Sequence, residues 1–291
     1  MHYSKEFKDY ELLDMANGEK LEKWGEYTLI RPDPQIVWDT KTHSNLWSNA
    51  DARYIRSNTG GGSWQSLTTN IKKSWKIKYR ALTFNVRPMG FKHTGLFPEQ
   101  AVNWDYLIEK ITQRTNSLKT VNVLNLFAYT GGATIACAYA KACVCHVDSS
   151  QGMTNWAKDN LISSNLKDAN VRFIVDDVIK FVQREIRRGT KYDCIIMDPP
   201  SYGRGKNGEV WSIEKDIFNL LQLCSKLLSK EPLLVLINTY TGGLSGTIIS
   251  NIAKMAFEKN KVLNVLTDEI GIKQKDDDIV LPCGITTICE F

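Results

Sequence analysis

The sequence predicts an α/β fold with an open, doubly wound, mostly parallel sheet, an antiparallel edge and a small β-rich N-terminal region. From residue 121 onward, apolar runs of strand length alternate with segments of helix length. Before residue 93, the runs are shorter, rich in aromatic and β-branched residues, and broken at 31–34 and 60–63. The two parts of the chain are therefore expected to fold differently.

In the N-terminal part, Trp75–Tyr79 alternates apolar and basic residues, as a half-exposed strand does. The glycine-rich segment 60–63 predicts a flexible loop tip. We place the domain boundary after residue 94, which gives a basic β-rich region over 1–94 and an α/β domain over 95–291.

Each element of the C-terminal part has its own pattern. Apolar runs predict strands at 121–127, 143–148, 171–175, 192–197 and 233–238. The segments beside them predict helices at about 132–141, 151–163, 178–188, 213–228 and 246–257. Two final runs, 262–267 and 285–290, predict the antiparallel edge pair.

Composition is that of a folded protein, with 43% hydrophobic and 24% charged residues. Seven cysteines form an odd set without a CxxC pair and lie mostly in apolar runs, which indicates a reduced, cytoplasmic protein without a metal site. The N-terminus carries charges where a signal peptide needs an apolar core. Glycines and Lys141 interrupt the apolar stretch 126–145, which favours a strand, turn and buried helix over a membrane span.

Positive charge is concentrated in one segment, 52–98, which we call the acid-free window because it contains no Asp or Glu. Its nine cations are Arg53, Arg56, Lys72, Lys73, Lys76, Lys78, Arg80, Arg87 and Lys92. The aromatic residues interleaved with these cations are Tyr54, Trp64, Trp75, Tyr79, Phe84 and Phe91. Cations neutralise phosphates and aromatic rings stack on unpaired bases, so the window suits an RNA surface. The alternative is a solvated basic sheet face with aromatic residues in its core.

Residues with binding chemistry follow the predicted strands. The loop 127–132 contains two glycines, which let the backbone pass close to a ligand, and it precedes a helix N-terminus. After the second strand, Asp148 can accept both ribose hydroxyls of a nucleoside. After the third, Asp176 or Asp177 can meet an adenine amino group. Because GxGxxG is absent and the loop has no cation for a pyrophosphate, a nucleoside without phosphates fits better than NAD.

The fourth strand ends in the most specific signal, the loop 198–201, whose residues are Asp198, Pro199, Pro200 and Ser201. Consecutive prolines restrict φ and aim their carbonyls, so Asp198 and the Pro199 carbonyl can accept hydrogens from an amino group. This arrangement suits methyl transfer to a nitrogen. The alternative is that the prolines only terminate the strand.

Four motifs in order, VLNLFAYTGGATIACA, HVDSSQGMTNWAKDN, VDDVIKFV and MDPPSYGRG, carry a resemblance over about residues 95–291. The chain resembles the class I S-adenosylmethionine-dependent methyltransferases, and within them the ribosomal RNA large-subunit methyltransferase I and K group. The resemblance implies a Rossmann-like methyltransferase sheet, S-adenosylmethionine as cofactor, and methylation of a base in ribosomal or other structured RNA.

The resemblance also implies roles for individual residues. The methionine part of the cofactor would be held by Phe127, Tyr129, Thr130, Gly131 and Gly132. Asp148 would bind the ribose, Asp177 would lie by the adenine, and the loop 198–201 would be catalytic and face the target. Gln100 would belong to a segment that covers the cofactor, although the family usually has Asp-Gln-Arg there and the arginine is missing.

The target atom is predicted from the loops. Large-subunit methyltransferase I makes 5-methylcytosine, and a carbon target requires a cysteine nucleophile. Loops 198–201 and 238–243 contain no thiol, and the N-terminal PUA domain of that enzyme is not evident. We therefore expect a base nitrogen as the target. The alternatives are a protein or small-molecule substrate, and a cofactor-binding RNA-associated module without turnover.

Overall fold

The computed structural model describes residues 1–4, 7–57, 61–68, 71–117, 119–204, 208, 210–240 and 243–291. The chain forms two compact units. The N-terminal unit comprises Tyr3–Ala101 and Gly271–Pro282, and the α/β unit comprises Met1–His2, Val102–Ile270 and Cys283–Phe291. The boundary after residue 94, and the roles assigned to its two sides, stay predictions.

The N-terminal unit contains a five-stranded sheet and a separate hairpin. The sheet strands, in spatial and chain order, are β1 (Tyr10–Ala16), β2 (Glu19–Trp24), β3 (Tyr27–Pro32), β4 (Ala52–Arg56) and β5 (Gly62–Ser66). They pair antiparallel, except that β3 and β4 are parallel. The hairpin consists of β6 (Trp75–Tyr79) and β7 (Leu82–Val86). This unit is rich in β-strands, as the sequence predicts.

Local sequence explains these strands. Asn17 and Gly18 join β1 to β2 with φ values of 54° and 72°, the left-handed conformations that a two-residue hairpin turn requires. In β6 the apolar side chains are buried while Lys76 and Lys78 are exposed, which confirms the alternation read from the sequence. Of the predicted loop tip, Gly60 lies outside the described residues, and Gly62 begins β5.

The α/β unit contains the remaining elements. Its helices are α1 (Ala101–Thr115), α2 (Gly132–Tyr139), α3 (Gln151–Ser163), α4 (Val178–Arg188), α5 (Ile213–Ser225) and α6 (Gly246–Phe257). Its strands are β8 (Asn122–Leu126), β9 (Cys143–Asp148), β10 (Val171–Val175), β11 (Cys194–Met197), β12 (Tyr202–Arg204), β13 (Val210–Ser212), β14 (Leu234–Thr239), β15 (Asn264–Lys273) and β16 (Val280–Glu290). The last three residues of β15, 271–273, and the first three of β16, 280–282, belong to the N-terminal unit.

Seven of these strands form one sheet in the order β10-β9-β8-β11-β14-β16-β15. The first five are parallel, and β16 is antiparallel to β14. This confirms the predicted fold class. Chain order reverses direction between β8 and β11, and ligands of open α/β sheets bind outside the carboxyl ends of strands at such a switch point.

Alternate residues of the central strands face two different helix layers. Leu124 of β8 and Ile195 of β11 pack in the cluster formed with α4, α5 and α6, whereas Val123 and Ile196 pack in the cluster formed with α1 and α2. Burial on both faces accounts for the continuous apolar runs that predicted the strands. Among the described residues, no helix is long and apolar enough to cross a membrane.

Candidate active site

The register of the sheet brings three site residues together. Leu126 pairs with Val147 of β9 on one side and with Met197 of β11 on the other. The residues that follow these three are Phe127, Asp148 and Asp198. Adjacent strands lie about 4.8 Å apart, so the three residues are neighbours at the carboxyl edge of the sheet. Here the loop 127–132 leaves the sheet between Asp148 and Asp198, and the loop 198–201 leaves it on the far side of β8 from Asp148.

The loop 127–132 winds through left-handed backbone conformations. Phe127 and Tyr129 have φ values of 54° and 50°, and Gly131 has 85°. The Tyr129 N–H donates to Asp148 Oδ2 at 2.8 Å, and the Asn160 amide donates to the Thr130 carbonyl at 2.9 Å. Because side chains of β9 and α3 hold its backbone, the loop has a defined shape.

The two glycines of this loop are required by helix packing. A Cβ atom on Gly131 would lie 2.9 Å from the Ala157 Cβ of α3, and one on Gly132 would lie 2.9 Å from Cζ2 of Trp104. Sequence reasoning assigned the glycines to close approach of a ligand. The structure adds a second reason, since α2 can approach its neighbours only without those Cβ atoms.

Asp148 is half-buried and preorganised. Its Oδ2 accepts the Tyr129 N–H, and its Oδ1 accepts the Ser150 N–H at 2.8 Å. Burial raises the pKa of Asp148 above its ordinary value, and the two backbone hydrogen bonds oppose that shift. An ionised carboxylate has about four lone-pair sites, so two backbone donors leave room for two hydroxyl donors.

The two acids after β10 have structural partners. Asp177 is the N-cap of α4 and its Oδ1 accepts the Lys180 N–H at 2.9 Å. Asp176 forms an ion pair with Arg184. Asp176 follows Val175, which pairs with Asp148, so both acids lie at the same sheet edge. A contact of Asp177 with adenine stays a prediction.

Hydrogen bonds from β13 and from the start of α5 hold the loop 198–201. Trp211 of β13 donates its indole Nε1–H to the Pro200 carbonyl at 2.7 Å, and the Ile213 N–H donates to the Ser201 carbonyl at 3.1 Å. Pro199 is buried, while Pro200 and Ser201 are exposed. Sequence reasoning missed Trp211 and the β12–β13 hairpin, because a three-residue strand has no detectable periodicity.

Hydrogen bonds connect three buried polar side chains from β8, α2 and β9. The Asn125 amide donates to Thr134 Oγ1 at 2.9 Å, and Thr134 Oγ1 lies 2.9 Å from His146 Nδ1. Burial lowers the pKa of His146 to about 3, so the ring is neutral, and its Nε2 has no hydrogen-bond partner among the residues that the structure describes.

Gln100 belongs to the N-terminal unit, where it is buried in a 3-10 turn, Pro98–Gln100. The other predicted site residues belong to the α/β unit. The cofactor contact predicted for Gln100 stays a prediction.

The cysteines differ in their distance from the site. Burial raises the pKa of five thiols: Cys137, Cys145, Cys194, Cys224 and Cys289. Cys143 begins β9 at the opposite edge of the sheet. Thr239, the last residue of β14, pairs with Ile285, so the half-buried Cys283 lies at the same edge as Asp198, two strands away. Two strand spacings are about 10 Å, and Cys283 also lies three residues further along β16 than the residue level with Asp198, so the separation exceeds that value.

In the folded structure, two cations of the acid-free window pair with acidic residues from outside the window. Arg53 donates to Glu19 at 2.8 and 2.7 Å, and Lys72 donates to Glu26 at 2.8 Å. Of the six aromatic residues, four are buried, Trp64 is half-buried, and Phe91 is 60% exposed. The structure therefore favours the alternative in which most of these aromatic residues form the core.

Fold and site together define a methyltransferase of the Rossmann-like class. Residues 42–257 match the S-adenosylmethionine-dependent methyltransferase family, and the chain belongs to that family. Its cofactor is S-adenosylmethionine.

Solved structures agree with this assignment. An S-adenosylmethionine-dependent methyltransferase from Agrobacterium tumefaciens is 33% identical and superposes with a TM-score of 0.93, over 99% of this chain and 92% of that chain. A candidate S-adenosylmethionine-dependent methyltransferase from Streptococcus mutans is 20% identical, with a TM-score of 0.74 over 98% of this chain and 76% of that chain. The second likeness shows the shared fold.

Among curated proteins, ribosomal RNA large subunit methyltransferase K/L of Shewanella sp. strain MR-4 is 30% identical over 228 residues, which are 77% of this chain and 28% of that protein. The Shewanella frigidimarina protein of the same name is 33% identical over 157 residues, 53% of this chain and 21% of that protein. The matched regions thus span about a quarter of these relatives.

The site fits S-adenosylmethionine chemically. Asp148 has free acceptor capacity for ribose hydroxyls, as its two backbone donors occupy only part of it. Helix α2 begins at Gly131 without a side-chain cap, and such a helix N-terminus favours an anion such as the methionine carboxylate.

Proposed function

We propose that this protein transfers a methyl group from S-adenosylmethionine to a nitrogen of an RNA base, with ribosomal RNA as the substrate. The observation that carries the proposal is the loop 198–201, which leaves the sheet beside the loop 127–132 and is held in place by Trp211 and Ile213. The loop 127–132 with Asp148 and Asp177 forms the proposed cofactor site. The loop 198–201 forms the proposed target site.

The proposed chemistry asks little of the protein beyond positioning. When bound, the cofactor supplies an electrophilic methyl group for in-line displacement. Asp148 binds the ribose hydroxyls, and the α2 N-terminus binds the carboxylate. Asp198 and the Pro199 carbonyl accept hydrogen bonds from the target amino group, and Asp198 takes the proton that the nitrogen loses.

A nitrogen target is supported by the thiols. A carbon-5 reaction on cytosine needs a thiolate at the ring, and five of the seven cysteines are buried with raised pKa values. Among the described cysteines, Cys283 is the thiol at the edge of the sheet that carries Asp198, and two strand spacings plus an offset of three residues along β16 put it more than about 10 Å away. It is therefore the critical control for the proposed chemistry.

An RNA substrate is supported by the names of the curated relatives and by the exposed lysines of β6. The relatives act on ribosomal RNA according to those names, and Lys76 and Lys78 point to solvent in the N-terminal unit. Cations in such positions neutralise phosphates.

The test is transfer of labelled methyl groups to total RNA from a strain lacking the gene. We expect incorporation into ribosomal RNA, release of an N-methylated nucleoside on digestion, loss of activity in Asp198→Ala, and retention in Cys283→Ala. Release of 5-methylcytidine together with inactive Cys283→Ala would replace nitrogen by carbon chemistry. Label in protein or small molecules but not in RNA would reject the RNA substrate.

A further inference from the structure

Trp211 contacts two loops that come from different strands. Its indole Nε1–H donates to the Pro200 carbonyl at 2.7 Å. Its ring packs against the ring of Phe127, with centroids 5.2 Å apart and an interplanar angle of 52°. Phe127 begins the loop 127–132, and Pro200 belongs to the loop 198–201. One side chain therefore joins the two loops.

The backbone around Trp211 is anchored on both sides. Trp211 pairs with Gly203 across the β12–β13 hairpin. The next residue, Ser212, donates its N–H to Asp216 Oδ2 at 2.8 Å, and Ile213 donates its N–H to the Ser201 carbonyl. These contacts hold the backbone that carries the indole, just before the start of α5. A residue that positions its neighbours must itself be held in place in this way.

Both loops depend on contacts from outside. The two prolines of the loop 198–201 have no N–H to donate, so partners of the carbonyl groups contribute strongly to its position. Phe127 has a φ of 54°, a conformation in which bulky residues persist only when their surroundings hold them. Trp211 supplies a partner to each loop.

We propose that Trp211 is a positioning residue that couples the cofactor loop, 127–132, to the target loop, 198–201. Cofactor binding fixes Phe127, Phe127 fixes the indole, and the indole fixes the Pro200 carbonyl. Target binding is thereby favoured after the cofactor has bound. The inference rests on the proposed function, because that function assigns the two loops their ligands. Linkage requires the reverse effect as well, so the target strengthens cofactor binding by the same factor.

The first test needs no RNA. Trp211→Phe keeps an aromatic ring beside Phe127 and removes the N–H donor. The matched control is Trp38→Phe, which removes an indole hydrogen bond of 2.8 Å to the Met15 carbonyl in the N-terminal unit. The probe is S-adenosylhomocysteine, and the measurements are its affinity by calorimetry and the hydrogen exchange of the Ile213 amide.

In the native protein and in Trp38→Phe, S-adenosylhomocysteine should slow exchange at Ile213. In Trp211→Phe this slowing should be lost, while the affinity changes by less than about threefold, the effect of one modest hydrogen bond. Phe127→Leu, which removes the ring contact and keeps the indole donor, should also lose the slowing. An equal ligand response in native protein and Trp211→Phe, or no response in native protein, would overturn the coupling.

The second test uses methyl transfer to total RNA. Trp211→Phe should lower kcat about 3- to 10-fold with little change in KM for S-adenosylmethionine, because the target loop and not the cofactor site is loosened. A rise in KM for the cofactor at constant kcat would contradict the proposed role. If native protein fails to methylate RNA, the proposed substrate is wrong, whereas the exchange experiment still decides the coupling.

Discussion

The carboxylate of Asp148 is held by backbone N–H groups from two directions, so its position is set before a ligand arrives. A ligand that donates two hydroxyl hydrogens pays little ordering entropy at such a site. This is a property of one residue, but it depends on the register of β8 and β9, which puts Tyr129 within reach of the strand end. Cofactor affinity is therefore expected to respond strongly to Asp148.

Asp148→Asn should weaken S-adenosylhomocysteine binding at least tenfold, since a charge-assisted hydrogen bond is worth about 1.5–3 kcal/mol. Burial raises the pKa of Asp148 above 3.8, so binding to the native protein should also weaken on acidification, beginning above that pH. Calorimetry over a pH series measures both effects. Asp159→Asn, an exposed change on α3, is the control. Unchanged affinity in folded Asp148→Asn would reject the ribose site.

His146 gives a second prediction at this scale. The unfolded ring takes a proton near pH 6.5, whereas burial lowers the pKa of the folded ring to about 3. The unfolded state therefore binds more protons between these values, and stability is lost as the pH falls through that window, by up to about 1.4 kcal/mol per pH unit. His93, with a pKa lowered to about 4 chiefly by burial, adds to the effect.

His146→Asn keeps an amide partner for Thr134 and removes the titration. Urea unfolding of both proteins at pH 7, 6 and 5 should show a shallower loss of stability in the variant. Parallel dependences of stability on pH would mean that His146 binds its proton equally well in the folded and unfolded states, which would contradict the lowered pKa.

At the scale of elements, the N-terminus of α2 depends on Gly131. Its φ of 85° disfavours any side chain, and a Cβ would press on Ala157 at 2.9 Å. Gly189 after α4 has a similar φ of 71°, but no atom of the described part of the chain lies within 4 Å of its Cβ position. Gly189→Ala should cost about 1 kcal/mol of unfolding free energy, and Gly131→Ala about 1–3 kcal/mol more. Urea denaturation measures the unfolding free energy of both variants, and the difference between their losses reports the clash with Ala157. Equal losses in the two variants would exclude a contribution from that clash.

The β6 hairpin carries the prediction for RNA. Replacing Lys73, Lys76 and Lys78 by Gln should reduce the slope of log affinity against log salt by about 2, because each phosphate contact contributes about 0.7–0.9. Lys254, Lys259 and Lys261, which are exposed in the α/β unit, provide a control triple with the same charge change. Equal slopes for the two triples would leave the β6 face as solvated surface. S-adenosylhomocysteine affinity should not change in either.

Elements with a single clear period were predicted well. Helices α3, α4 and α6 and strands β9 and β10 begin and end at the predicted residues. β1 was missed because a register shift between Leu12 and Asp14 breaks its alternation. The partner of Pro200 was missed for another reason, since Trp211 reaches it only through a hairpin that the sequence pattern does not indicate.

At the scale of the molecule, the site combines a predictable part and an unpredictable part. Chain order and strand ends are enough to place Phe127, Asp148 and Asp198 at one edge, because parallel strands share their carboxyl edge. The membership of 271–282 in the N-terminal unit does not follow from any local pattern. There the Lys275 N–H donates to the Leu12 carbonyl at 2.7 Å, so this segment continues the edge of β1.

Replacing 272–281 by a short Gly-Ser turn should therefore weaken β1 while sparing the central parallel strands of the main sheet. Hydrogen exchange should accelerate at β1 amides and stay unchanged at β8 amides, which serve as the internal control. Unchanged exchange at β1 would mean that its pairing with β2 suffices.

The position of this segment in the chain determines when the N-terminal unit can be completed during synthesis. The ribosome adds about 5–20 residues per second, so Lys275 and its neighbours emerge roughly 10 to 35 seconds after residue 101. During that interval β1 has an open edge, and exposed edges of this kind pair with other chains. The N-terminal unit is thus begun first but is completed only when residues 271–282 have been made, and β1 is most exposed to misassembly during that interval.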